Sequence, residues 1–243
     1  MATASPTPLI ELRAIKRNPT GTGNITYVGH YDEQSILDAY AKPLNEDGYH
    51  IYSPINPLRP GCFAEINLPP RKGVNAAGIK HIDRRAWLPY DIDAIRPKGQ
   101  AASREEKKAA RAVAEKVVSL WRALGVDPMC IDSGNGYQVR VPIDLPNDDS
   151  VSDDGKSVTA GESTQLIKAV LENHSAEFSN DGAKIDVLYD APRIMRVPGY
   201  KNVKGDNSPE RPHRLVRKLN ESWIEPQVVI CSVKYDRHTV MDC

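Results

Sequence analysis

The chain has 243 residues, of which 40% are hydrophobic and 26% charged, with 32 basic and 32 acidic side chains that cancel. That length can bury a sizeable core, as one large domain or two closely packed subdomains. The balanced charge excludes a uniformly basic nucleic-acid coat, and no apolar run is long enough to span a bilayer.

The N-terminus lacks the basic-then-apolar layout of a secretory signal, so the expectation is a cytoplasmic protein with no membrane partner. Cys62, Cys130, Cys231 and Cys243 form no Cys-x-x-Cys pair and read as reduced thiols. Along the chain, Ile25–Val28 predicts a short strand, Asp32–Tyr40 a helix capped by Asp32, and His50–Tyr52 another strand before a proline-rich turn. Trp87-Leu88-Pro89-Tyr90-Asp91-Ile92-Asp93 predicts an apolar strand. On it Asp91 and Asp93 project to one face, Tyr90 and Ile92 to the other. Two carboxylates so close repel each other, and a divalent cation between them removes the repulsion; oxygen donors suit Mg²⁺ or Mn²⁺. Taken alone, an Asp-x-Asp also fits a turn cap beside a solvated aspartate.

Ser103 followed by Glu106 forms a capping box ahead of Ala110, Val113, Val117, Leu120, Trp121 and Leu124 at helical spacing, and Gly125 ends that helix. Met129–Ile131 and Tyr137–Val141 read as a hairpin around Asp132-Ser133-Gly134-Asn135-Gly136. Its glycines expose backbone N–H groups to which Ser133 and Asn135 add side-chain donors, a surface suited to phosphate. Residues 147–156 read as an acidic loop, with Thr159 and Glu162 opening a second helix whose apolar face is Leu166, Ile167, Val170 and Leu171. Ile185-Asp186-Val187 predicts a short strand, and the rest is loop-rich until Val228-Val229-Ile230. Basic residues cluster between Arg193 and Lys218, opposed only by Asp206 and Glu210. Trp87, Trp121 and Trp223 read as packing residues.

Jointly, these strings resemble the archaeo-eukaryotic primase superfamily, specifically the primase-polymerase domains of plasmids, phages and other mobile elements. The resemblance runs from about Gly29 to Arg214. It rests on Asp91-Ile92-Asp93 with Arg96-Pro97, Ser133-Gly134-Asn135-Gly136-Tyr137-Gln138, and Ile185-Asp186 with the following Ala191–Gly199 and Glu210–Arg214. Gly29-His30-Tyr31-Asp32 and Ile55-Asn56-Pro57 fit the family's N-terminal layout. It implies an α+β fold: an RRM-like catalytic core sheet with helices over about 85–220, packed against an N-terminal α/β subdomain over about 1–84. Residues 221–243 would form a C-terminal tail.

The implied activity is template-dependent nucleotide addition to a 3′-hydroxyl with release of pyrophosphate. The implied partners are single-stranded or primed DNA, nucleoside triphosphates, and a helicase or other replication proteins. Asp91, Asp93 and Asp186 would hold two Mg²⁺ or Mn²⁺ ions. Ser133, Gly134, Asn135, Gln138, Arg193, Lys204 and His213 would bind the nucleotide, and Arg196, Lys201, Arg211 and Arg214 the nucleic acid. Family members usually carry histidine at the position of Gln138, which cannot become cationic, so Gln138→His is expected to tighten nucleotide binding. Two other readings remain open: a nucleic-acid-binding replication or defence factor that has lost turnover, and a metal-dependent nuclease.

Overall fold

The computed structural model describes residues 8–154 and 157–219. β1 (Ile10–Arg17) and β2 (Asn24–Tyr31) form an antiparallel hairpin. α1 (Gln34–Glu46) follows, and β3 (His50–Pro54) takes the other edge of β1. Leu12, Ala14, Tyr31, Leu37, Ala41 and Ile51 make the small core between this sheet and α1. The first helix begins later than the sequence predicts and runs on past Tyr40. Asp32 does not cap it, because its carboxylate instead accepts from Asn67 Nδ2 at 2.6 Å.

An irregular connection leads to β4 (Arg84–Ala94), α2 (Arg104–Ala123), β5 (Met129–Asp132) and β6 (Gly136–Pro146). After the small hairpin β7 (Ser150–Val151) and β8 (Val158–Thr159) come α3 (Glu162–Phe178) and β9 (Ala183–Asp186). Within the second sheet the order β5-β6-β4-β9, all antiparallel, is that of a split β-α-β-β-α-β unit. Ala110, Val113, Val117 and Trp121 of α2 pack with Ile167 and Leu171 of α3 on Tyr90, Ile92, Val139 and Ile185. Each large apolar side chain buried there contributes roughly 1.5–3 kcal/mol. Both helices therefore occupy one face of the sheet, and the other face is left for chemistry.

The capping box of α2 forms as its sequence predicts: Glu106 N donates to Ser103 Oγ at 3.2 Å and Ser103 N to Glu106 Oε2 at 2.7 Å. At α3 the predicted Thr159–Glu162 box does not form. Gly161 is the N-cap, and Asp148 caps from the preceding loop, accepting from Ser163 N at 3.0 Å and Ser163 Oγ at 3.1 Å. A Cβ on Gly161 would stand 2.2 Å from Asp148 Oδ1, so glycine is what lets that carboxylate approach. Arg85, 1% exposed, ties the same loop to the core through Asp149 (2.7 Å), Thr164 and the Tyr189 carbonyl.

The segment after β9 is more ordered than its composition predicts. β10 (Ile194–Arg196) returns to the first sheet, giving the order β10-β3-β1-β2. β11 (Lys201–Asn202) pairs with β12 (Arg214–Leu215), and β13 (Arg217–Lys218) joins the outer edge of β5. The fold is thus mixed α and β with antiparallel sheets, and one late segment stitches both large sheets together. Among the described residues no helix is long and apolar enough to cross a membrane, and Cys62 and Cys130 are free thiols. Trp223, Val228–Ile230, Cys231, Cys243 and the tail lie outside the described residues.

Candidate active site

Strand register brings the predicted carboxylates together. Asp91 and Asp93 alternate with the core residues Tyr90 and Ile92, so they project from the helix-free face of β4. On β9, Asp186 is the cross-strand partner of Asp91, and Lys184 that of Asp93. Burial, and then the charges of Asp93 and Asp186, push the Asp91 carboxyl up to about 7, against the opposing pull of Arg196 and Arg193. Asp93 accepts from Arg96 Nη1 at 3.4 Å and Asp186 from Lys184 Nζ at 2.5 Å.

With those two arms engaged, no group of three His, Cys, Asp or Glu side chains among the described residues closes into a metal site. The donor set nevertheless fits hard divalent cations: three carboxylates share one sheet face, and the repulsion on Asp91 is the kind a cation relieves. Asp93 and Asp186 would have to exchange Arg96 and Lys184 for the ion.

Asp91 and Asp93 line a cleft of about 170 Å³ whose far wall comes from β3 and β10 of the other sheet. Roomier clefts of about 350 and 740 Å³ flank Phe63, but neither holds a pair of carboxylates. On the far wall of the smaller cleft Arg196 lies 5.0 Å from the Tyr52 ring centroid and donates to His50 Nδ1 at 2.8 Å. Burial first, then Arg196, Lys204 and His213, pull His50 down to about 3, so it is neutral and able to accept that bond. Lys204 and Arg96 also line the cleft. An anionic wall thus faces a cationic one.

The turn between β5 and β6 supplies the cleft's third side. Three of its backbone amides are spent within the turn: Gly134 N donates to Asp132 Oδ1 (2.8 Å), Gly136 N to Ser133 Oγ (3.2 Å) and Ser133 N to the Gly136 carbonyl (3.1 Å). Gly134, at φ +88°, packs against Asn202, and a Cβ on Gly136 would stand 2.1 Å from the Ile92 carbonyl. These glycines serve close packing, and the donors that face the cleft are side chains. Asn135, 2% exposed, accepts from Ala102 N at 2.9 Å and leaves its buried Nδ2 without a partner. Gln138, also 2% exposed, accepts at Oε1 from Arg140 Nη2 at 2.8 Å. Ser133 and Gln138 line the cleft beside Asn135.

Other residues singled out from sequence lie elsewhere or are otherwise engaged. Arg211 is paired with both Glu106 oxygens at 2.7 and 2.8 Å and donates to the Ala101 carbonyl, while Arg214 donates to the Ala102 carbonyl at 2.7 Å. Both guanidiniums hold the late segment onto the start of α2. Arg193 turns to Asp190, and His213 bonds the Gly205 carbonyl at 2.8 Å. Lys201 is exposed on β11, outside the cleft lining. Arg196, expected at nucleic acid, lines the cleft. Sequence reading did not single out Tyr52, Arg140 or Asn202, whose Nδ2 holds the Ser133 carbonyl at 2.7 Å; nothing local in the chain marks them.

No family model and no curated protein matches the chain. Among solved structures it is similar to the primase RepB′, at 12% identity and a TM-score of 0.43, over 88% of this chain and 51% of that one. It is also similar to the polymerase domain from Mycobacterium tuberculosis Ligase D in complex with DNA, at 17% identity and a TM-score of 0.41, over 88% of this chain and 65% of that one. The chain therefore spans about half the length of the first and under two thirds of the second.

Proposed function

We propose that the chain is a template-dependent nucleotidyltransferase, a DNA primase or polymerase that adds nucleotides to a 3′-hydroxyl with release of pyrophosphate. Mobile-element replication or a related pathway is the setting this reading favours. One observation carries it: a single cleft opposes Asp91 and Asp93, with Asp186 beside Asp91 on the same sheet face, to an unpaired buried amide donor and a cationic wall. Asp91, Asp93 and Asp186 would hold Mg²⁺ or Mn²⁺, which when bound lower the pKa of a hydroxyl and take up charge on phosphate oxygens. Asn135 Nδ2, the Gln138 amide and the Ser133 hydroxyl donate to a triphosphate, and Arg96, Arg196 and Lys204 neutralise it.

A second reading, a nucleic-acid-binding factor without turnover, is favoured by the ion pairs that engage Asp93 and Asp186. The purified chain, a primed template, Mn²⁺ and labelled nucleotides separate the two. Extension that disappears in Asp91→Ala supports the enzyme, and template binding without incorporation supports the binder. Template degradation in the absence of nucleotides would instead indicate a nuclease.

A further inference from the structure

Arg140 lies two residues beyond Gln138 on β6 and projects from the same sheet face. Among the described residues it forms no ion pair; its hydrogen bond goes to Gln138 Oε1 at 2.8 Å, and its buried Nε has no partner. Burial pulls its pKa down to about 10 and Asp91 pulls it up, so it remains charged at neutral pH. A guanidinium has only donors, so the one amide atom that can face it is the carbonyl oxygen. The NH₂ of Gln138 is then directed away from Arg140, and no described residue takes its protons. Without Arg140 the amide is free to flip and present oxygen to an anion.

We propose that Arg140 is a positioning residue of the nucleotide pocket: it locks the Gln138 side chain so that its NH₂, and not its carbonyl, meets the phosphates. The inference rests on reading the cleft as a nucleotide site. A half-buried cation that makes no direct ion pair costs stability. Arg140 is thus held where folding alone does not favour it.

The test uses the full chain with Mn²⁺ and a labelled nucleoside triphosphate, measuring Kd, KM, kcat and Tm. Arg140→Met should weaken nucleotide binding about tenfold, the worth of one charge-assisted hydrogen bond, with kcat within about threefold. Its Tm should stay the same or rise. Arg140→Lys, which still donates to Oε1, should recover most of the affinity. In a Gln138→Ala background, Arg140→Met should add less than about twofold, since residues acting through one contact are non-additive. Unchanged affinity in Arg140→Met, a fall in Tm as its only effect, or a full additional loss in the Gln138→Ala background would each overturn the proposal. A wild-type chain that binds no nucleotide overturns the nucleotide reading itself, and does so before any variant is compared.

Discussion

Asp91 and Asp186 are direct cross-strand partners on the β4–β9 ladder, two carboxylates held opposite one another by backbone register. Like charges in that position destabilise a sheet, and Asp93 two residues along adds a third. Folding brings together what electrostatics would separate. Strongly perturbed carboxyls of this kind cluster at functional sites.

The first consequence is a stability cost with a defined pH window. The Asp91 carboxyl is raised from 3.8 to about 7, so between those values the folded state binds its proton more tightly than the unfolded state. Stability therefore falls as pH rises through that interval and stays lower above it. Asp91→Asn removes the penalty. In EDTA at pH 8 it should stabilise the protein by roughly 1–2 kcal/mol, discounted for the partial exposure of the site, and at pH 4 by close to nothing. Thermal denaturation at the two pH values measures the difference, and equal shifts at both would exclude this cause.

Divalent cations should reverse the same cost. Mn²⁺ at a hundred times its Kd would stabilise the wild-type chain by about 2.7 kcal/mol, and should leave Asp91→Ala unaffected. Lys184 and Arg96, paired with Asp186 and Asp93, would compete with that ion. Lys184→Ala is accordingly expected to tighten Mn²⁺ binding by about two- to fivefold, the scale of a partly exposed ion pair. Titration calorimetry reads it directly, and weaker binding in Lys184→Ala would show the lysine to be an ally of the site.

What the sequence made legible was local. The Asp-x-Asp strand, the α2 capping box and the Asp132–Gly136 hairpin each declare themselves within a dozen residues, by alternation, by a Ser-x-x-Glu spacing and by turn composition. β1 went unread although Ile10-Glu11-Leu12-Arg13-Ala14 alternates apolar with polar; what no local signal gives is that its polar face is buried too, with Glu11 fully buried and Arg13, His30 and the Ala77 amide turned to it. β10 to β13 are only two or three residues long and exist through partners far away in the chain. The carboxylate site was readable as three separate aspartates, whereas the Arg140–Gln138 contact needs a face of the sheet to be known first.

Arg211 carries an ion pair that the composition of a basic cluster does not reveal. Sequence places it at nucleic acid, but Glu106, 105 residues away, takes both arms of its guanidinium. Arg211→Ala should lower Tm and leave template affinity within about twofold, because a phosphate contact is not what it loses. Arg196→Ala, at the cleft, should weaken nucleotide binding instead. Electrophoretic mobility shifts and a nucleotide titration on both variants check the pair. A large loss of template binding in Arg211→Ala would return that arginine to the nucleic-acid surface.

Gln138→His is where sequence and structure give different expectations. From sequence, a histidine should tighten nucleotide binding by supplying a charge-assisted bond to the triphosphate. Arg140, however, sits 2.8 Å from the end of that side chain. A buried imidazole placed against a guanidinium is held neutral, as His50 is by burial first and then by Arg196 and Lys204. The structure thus predicts that Gln138→His alone changes nucleotide affinity by less than about threefold. A gain should emerge only when Arg140→Met is added, with the double variant binding more tightly than Arg140→Met by itself. Affinities of the four proteins at neutral pH close this cycle, and a strong gain from Gln138→His alone would mean that Arg140 yields its place.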